Sequence, residues 1–356
     1  MDYPKTQGIK YTGSKLKILP YIIDIISKLN IKTIYDGFSG TTRVSQAFAK
    51  LGYKVICNDI ADWSYVFGCC YLLNKENKEY YIDLINHLNN VQPIDGFISK
   101  YYGGDISDHK KPFQLKNTRK IDGIRQEIDN LKLNNQDKYV ALTSLILAMD
   151  KVDSTLGHYS SYLNDWSERS FNDIRLEIPD LFINKKENEV YQDDIFNLTD
   201  KIKADLSYFD PPYGSNNEKM PASRVRYNSY YHIYKTVILY DNPKIFGKCN
   251  RRKDSSDKIV DNPFESFRKN KDTGRFIASE TIERLIKETQ TKYILLSYSN
   301  NGKVKLDNIK RILSDNGKII YISEIDYKKN IMAQLSWTGD WVNDTKNKEM
   351  LFLLEK

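Results

Sequence analysis

Two adjacent prolines, Pro211 and Pro212, constrain this chain more than any other feature, because they cut off a strand that has barely begun. The run Leu206-Ser207-Tyr208-Phe209 is strand-forming, and the charged Lys203-Ala204-Asp205 precedes it. The prolines then remove two backbone donors and hold the chain extended. A carboxylate (Asp210), the carbonyl of Pro211 and the ring of Tyr213 are thereby fixed at a strand's end. In an open α/β sheet that is where ligands bind. Asp210 and the Pro211 carbonyl can each accept a hydrogen bond from an amino group, and Tyr213 can stack on whatever carries it. The tetrapeptide suits a planar, amino-bearing heterocycle. A stiffened surface turn is the competing explanation. Paired prolines arise by chance at about one position in 400, so the decision falls to companion motifs.

Those companions lie in the first sixty residues. A short strand at 31–35 ends in Asp36-Gly37-Phe38-Ser39-Gly40-Thr41-Thr42. A helix over 44–51 follows, closed by Gly52. A second strand, 54–57, ends in Asn58-Asp59. This is a βαβ start with a glycine-containing first turn and an acid at the tip of the second strand. Such acids bind ribose hydroxyls, which points to an adenosine-containing cofactor. The dinucleotide fingerprint GxGxxG is absent. Asp36, just before the turn, opposes a pyrophosphate and favours a cationic or amino-bearing ligand part. Ahead of all this stands Lys10-Tyr11-Thr12-Gly13-Ser14-Lys15, leading into a helix marked by Leu19, Ile22, Ile23, Ile26 and Leu29, with Pro20 in its first turn.

The middle of the chain changes character. Residues 61–185 lack a βα rhythm and read as helices, one over 121–131 and a nearly all-apolar one over 139–149. They are expected to form a largely helical insertion and not a separately folding domain. Strands resume at 189–192, ending in Asp193-Asp194, and continue at 206–209, 292–298, 318–325 and 350–354, seven in all. Between the proline turn and residue 276 come Tyr227, Tyr230, Tyr231 and Tyr234, then a basic stretch with Lys248, Arg251, Arg252 and Lys253. Interleaved aromatics and cations suit bases and phosphates, which makes these four cations the expected DNA contacts. A solvated loop is the alternative.

Bulk composition agrees without deciding. The formal charge of +7 over 356 residues favours an anionic partner. Four cysteines and four histidines show no metal-binding spacing, so no metal is expected and a reducing cytoplasm fits. No apolar run reaches about 18 residues, so neither a membrane span nor a secretory leader is expected.

Taken in order, Lys10 to Lys15, Asp36 to Gly40, Asn58-Asp59, Asp193-Asp194 and Asp210-Pro211-Pro212-Tyr213 resemble the adenine-N6 DNA methyltransferases of the D12 (α) class, which includes Dam-type enzymes. The resemblance implies a Rossmann-like, seven-stranded sheet with a mainly helical target-recognition insertion, and S-adenosylmethionine as methyl donor. It assigns Tyr11 and Lys15 to the methionine end of the donor or the adjoining helix cap, with Phe38 and Gly40 lining its pocket. Asp36 would lie near the methionine amino group, Asp59 on the ribose and Asp194, with Asp193 as the alternative, near the adenine. Catalysis would fall to Asp210, Pro211, Pro212 and Tyr213. The catalytic domain is expected at 1–84 and 186–356, the insertion at 85–185, and an aromatic, basic DNA-contact loop at 214–275. Thr42 departs from the family pattern, standing where a second glycine is common. The implied substrate is adenine in double-stranded DNA, in a restriction-modification or phage-defence setting with a cognate endonuclease, and the enzyme is expected to act as a monomer. An RNA adenine-N6 or DNA cytosine-N4 methyltransferase is the alternative enzyme, and an inactive DNA-binding module the alternative without chemistry.

Overall fold

The structure is a computed structural model that describes residues 3–108, 111–216, 225–256, 259, 262–326 and 348–356. Seven strands form one sheet: β1 (Thr33–Asp36), β2 (Lys54–Asn58), β3 (Glu189–Tyr191), β4 (Leu206–Phe209), β5 (Tyr293–Ser299), β6 (Lys318–Asp326) and β7 (Lys348–Glu355). Their order is β6-β7-β5-β4-β1-β2-β3. β1 pairs parallel with β4, β4 with β5, and β2 with β3, whereas β7 runs antiparallel to both β5 and β6. All seven expected strands are present, with ends shifted by one or two residues. The order reverses at β1 and β4, and in an open sheet such a switch point opens a crevice at the carboxyl ends.

By its contacts the chain divides into two compact units, Met1–Lys17 with Ser39–Asp193 and Arg226–Asp261, and Ile18–Phe38 with Asp194–Val225 and Asn262–Lys356. Residues 85–185 fall in one unit with residues 39–59, and residues 226–261 group with them. Of the expected 214–275 loop, residues 217–224, 257–258 and 260–261 lie outside the described residues.

The second unit holds the proline turn. Its β1 and β4 are locked in register at both ends. The Asp205 carboxylate accepts the N–H groups of Lys32 (2.7 Å) and Thr33 (2.8 Å), and Asp36 stands opposite Tyr208. Every residue of β4 is buried, as are Ile34 and Tyr35. Helices Ile277–Glu288 and Leu306–Asn316 flank β5 in sequence and bury Ile282, Leu285, Ile309 and Leu313.

The first unit is mostly helical. Asp62–Leu72, Leu115–Asn130 and Asn135–Val152 bury their apolar sides in one cluster with Tyr231, Ile233, Tyr234 and Val237. Asn134 caps the last of these helices, its side chain accepting the N–H of Asp137 at 2.9 Å. Gly52 closes the helix Arg43–Lys50 with φ of +92°, as its position in the sequence requires. Tyr231 and Tyr234 are each 1% exposed. They are core residues and not base-stacking surfaces, which corrects the reading of that stretch: Tyr234, on the helix His232–Leu239, and Tyr231, its N-cap, both pack into the apolar cluster. Among the described residues no helix is long and apolar enough to cross a membrane.

His232 is fully buried in this cluster, its Nε2 3.3 Å from the Tyr159 carbonyl oxygen and its ring tilted against Tyr102. Burial pushes its pKa down to about 3, the Tyr159 carbonyl opposing and Arg251 and Arg252 assisting. The unfolded chain binds a proton near pH 6.5 that the folded chain refuses, so stability is full above that pH and is lost as pH falls towards 3. Between pH 7.5 and 5 this one group should remove about 2 kcal/mol. Urea melts at the two pH values should show that loss, and His232→Gln should shrink the difference. An equal pH dependence in the variant would refute the assignment.

Candidate functional site

At the end of β4 the chain enters Asp210-Pro211-Pro212-Tyr213, with Pro211 buried and the other three half-buried. The turn is buttressed by the segment after β5. The Lys303 N–H donates to the Tyr213 carbonyl (2.8 Å), and the Asn216 N–H to the Asn301 carbonyl (2.7 Å). The Tyr213 ring meets the buried Tyr298 edge-on at 5.5 Å. Tyr298 in turn accepts the Val304 N–H at its hydroxyl (3.1 Å), and Gly302 lies so close that an added Cβ would come within 2.4 Å of the ring. Tyr298, Gly302 and Lys303 were not singled out from sequence. The available signal was a tyrosine at the end of a strand with a glycine just after it.

Beside this turn, β1 delivers Asp36, which is 1% exposed. The Gly37 N–H donates to the Tyr208 carbonyl at 3.1 Å, extending the β1–β4 ladder by one bond. No larger residue fits at 37, because a Cβ would sit 2.7 Å from the Phe209 ring and 2.8 Å from Ile195. Phe38 packs edge-on against Phe209 (6.1 Å) and Phe264 (5.3 Å), and Phe264 stacks parallel to Phe196. Asp194 is exposed and caps the short turn Ile195–Asn197, accepting the Phe196 N–H at 2.9 Å. The second unit thus brings together Asp36, Phe38, Asp194 and the proline turn.

Tyr11, Lys15, Gly40 and Asp59 belong to the first unit. The Gly40 N–H donates to Asp59 Oδ2 (2.8 Å) and the Ala61 N–H to Oδ1 (3.0 Å). Burial raises the Asp59 pKa, and these backbone N–H groups pull it back. Its carboxylate has four lone-pair sites, so it can also accept ribose hydroxyls. Gly40 has φ of +51°, and a Cβ there would approach the Tyr11 ring to 3.4 Å. Tyr11 is stacked on Tyr231 (4.7 Å) and Tyr227 (5.3 Å), while the Thr12 N–H donates to the Tyr231 hydroxyl (2.8 Å). Lys15 is 7% exposed. Asn58, another residue without an assigned role, ties the end of β2 to its surroundings: its side chain exchanges hydrogen bonds with the Asp193 backbone (3.1 and 3.0 Å), and its carbonyl accepts the Ser39 N–H.

Thr42 adopts φ of +59°, the left-handed conformation that a glycine takes easily. A β-branched residue there costs about 1–3 kcal/mol. It is fully buried and held by its neighbours, its N–H donating to the Ser39 carbonyl (2.6 Å) and its hydroxyl accepting from the Gln46 amide (3.1 Å). The threonine thus takes a conformation that is open to glycine without strain.

Of the four cations expected to meet DNA, Lys248 and Lys253 are exposed. Arg251 is half-buried, lies over the Phe246 ring and donates to the Ser229 hydroxyl (2.6 Å). Arg252 does not fit that role. It is 3% exposed, and its guanidinium grips Asp241 (2.6 and 2.8 Å) and Asp254 (3.0 and 3.1 Å). Asp254 stands two residues on, but the sequence did not show that it and Asp241 close on this cation and not on its basic neighbours. Among the described residues no group of histidines, cysteines and acids could hold a metal ion. Arg252→Ala should destabilise the fold by roughly 2–3 kcal/mol, because it strips two carboxylates of a buried partner. It should leave the salt dependence of DNA binding unchanged. A flatter salt slope in this variant would restore Arg252 as a phosphate contact.

Comparison with known sequences follows the same lines. The model of the D12 class N6 adenine-specific DNA methyltransferase family matches residues 11–294. The chain is 28% identical to the type II methyltransferase M.NlaIII of Neisseria lactamica, over 98% of this chain and 99% of that protein. It is also 28% identical to the modification methylase StsI of Streptococcus sanguinis, over 97% of this chain but 51% of that protein. The type II methyltransferase M2.HphI of Haemophilus parahaemolyticus is 26% identical, over 100% and 99% of the two chains.

Proposed function

Because the chain belongs to the D12 class N6 adenine-specific DNA methyltransferases, and is therefore an enzyme that methylates DNA, we propose that it methylates the N6 amine of an adenine turned out of double-stranded DNA at one short sequence. The observation that carries this reading is the proline turn at the carboxyl end of β4, next to Asp36 at the end of β1. An amino-bearing base needs an acceptor pair and a stacking ring held rigidly, and Asp210, the Pro211 carbonyl and Tyr213 supply them.

The adenine amine is a poor nucleophile, since its lone pair is delocalised into the ring, and a duplex hides it, so the nucleotide is extruded. Asp210 and the Pro211 carbonyl accept the two N6 hydrogens and draw the nitrogen towards tetrahedral geometry. Tyr213 stacks on the base and sets its plane, and Tyr298 in turn supports Tyr213. S-adenosylmethionine, when bound, supplies an electrophilic methyl group on a sulfonium. Asp59, with acceptor sites beyond its bonds to Gly40 and Ala61, suits the ribose. In the second unit Asp36 and Phe38 suit the methionine end and Asp194 the adenine, while Tyr11 and Lys15 of the first unit keep the assignment that the resemblance gives them. Asp210 stabilises the positive charge that develops on N6, and the proton leaves to water once that charge has formed. The rate comes from positioning and electrostatics, with no covalent enzyme intermediate. The relatives named as type II methyltransferases and modification methylases support a restriction-modification setting with a cognate endonuclease. Lys248, Arg251 and Lys253 are the proposed phosphate contacts.

Labelled S-adenosylmethionine and unmethylated DNA, followed by nucleoside analysis and single-molecule mapping, test this directly. N6-methyladenine at one short sequence is the expected product. N4-methylcytosine, or label in RNA alone, would overturn the substrate. Asp210→Ala should lower methyl transfer by at least about a thousandfold with donor binding kept within a few-fold. Equal loss of both would remove Asp210 from the chemistry. Tyr213→Phe should retain far more activity than Tyr213→Ala; equal losses would exclude stacking. Changing Lys248, Arg251 and Lys253 together to Gln should flatten the salt slope of DNA binding by about two to three. An unchanged slope would return them to the solvated surface.

A further inference from the structure

The seven-stranded sheet has two edges, and they are built differently. At one, β3 is three residues long and carries Glu189, held by Lys54 (2.7 Å) and by the Tyr191 hydroxyl (2.7 Å). A short strand with a charge on it is a usual guard against other chains adding to a sheet. At the other edge, β6 runs for nine residues, Lys318–Asp326, and its only partner is β7. Ile320, Tyr321 and Ile322 are 37%, 42% and 44% exposed. Successive residues of a strand point to opposite faces, so apolar surface is bare on both sides of this edge.

Little guards it. From Ile319 to Ser323 the strand holds no charge and no proline. A bulge at Ile320, where the pairing steps from Ile319–Leu354 to Tyr321–Leu353, sits near the start of the strand. From Tyr321 to Asp326 the pairing with β7 is regular. The charges stand at the two ends and are opposite in sign, Lys318 at the first and Glu324 and Asp326 at the last. Antiparallel pairing of β6 with a second copy of itself, centred on Tyr321, would set Ile320 beside the partner's Ile322. It would also set Lys318 beside the partner's Glu324, once at each end, so that no like charges face each other. Glu324 is already held in the edge by an ion pair with Lys348 of β7. Lys28, whose Nζ lies 6.0 Å from the Tyr321 ring centre, is paired with Asp24 (2.7 Å) and brings no net charge to the contact.

We propose that β6 is a homodimer interface, through which two copies of the chain join antiparallel, edge to edge, about Tyr321. The contact is self-complementary, as a two-fold interface must be. It adds a strand to each sheet by main-chain hydrogen bonds, and the apolar run supplies the side-chain burial. It stands in place of the monomer expected from sequence and does not depend on the reaction proposed above.

The test is sedimentation equilibrium of the full chain from about 5 to about 500 µM, because a contact of this size belongs with the weak associations. The wild type should pass from monomer to dimer over that range. Ile322→Lys puts a cation in the middle of the apolar run and should keep the chain monomeric throughout. Lys318→Glu should weaken dimerisation at least about tenfold by setting like charges at both ends. Unchanged melting temperatures would show that both variants fold. Should either not fold, Tyr321→Cys reads the same contact. Its thiols would stand within disulfide reach across the two-fold axis. Mild oxidation should then give a covalent dimer that the wild type, with its own four cysteines, does not. A wild type that stays monomeric at about 500 µM would overturn the proposal. Slow amide exchange along β6 would in that case give the edge to another segment of the same chain. A dimer that keeps its full strength in both variants lies on another surface, and would overturn it equally.

Discussion

The parallel pairing of β1 with β4 is the constraint on which the placing of the proline turn depends. It places Asp36 opposite Tyr208, two residues before Asp210, so two carboxylates arrive at one edge of the sheet without any loop having to find the other. Asp205 fixes the register at the opposite end by accepting the N–H groups of Lys32 and Thr33. A slip of one residue would turn Asp36 to the other face of the sheet. Gly37 then lets the turn lie flat on Phe209, where any side chain would force it away. The prolines complete the arrangement by forbidding β4 to continue.

Support for these residues comes from aromatic packing more than from charge. Tyr298 backs Tyr213, Phe264 and Phe209 back Phe38, and Tyr227 and Tyr231 back Tyr11. Rings have few rotatable bonds, so packing them loses little conformational entropy for each contact made. A site that must orient a flat base gains from walls that are themselves flat and stiff.

Much of this was legible in the sequence. The seven strands could be read because each is a short apolar run bounded by charged or turn residues, and Gly52 and Pro20 marked helix ends by their own stereochemistry. The D12 motifs carried the family, and the match over residues 11–294 agrees. What could not be read depended on how the chain packs, not on which residues it holds. Arg252 looked like its basic neighbours until Asp241 and Asp254 closed on it. Tyr231 and Tyr234 looked like a stacking surface because composition says nothing about which way a helix turns. The grouping of 226–261 with the helical unit is likewise a matter of packing between segments far apart along the chain.

Thr42 makes the shape of the glycine turn a product of its surroundings. A residue with φ of +59° and a branched side chain does not choose that shape; the buried contacts around it impose it. Such a conformation persists only where the surroundings over-determine it. A glycine at 42 would release the strain but forfeit the hydroxyl that accepts from Gln46, so the turn's shape is held by packing where the family pattern relies on an unencumbered backbone.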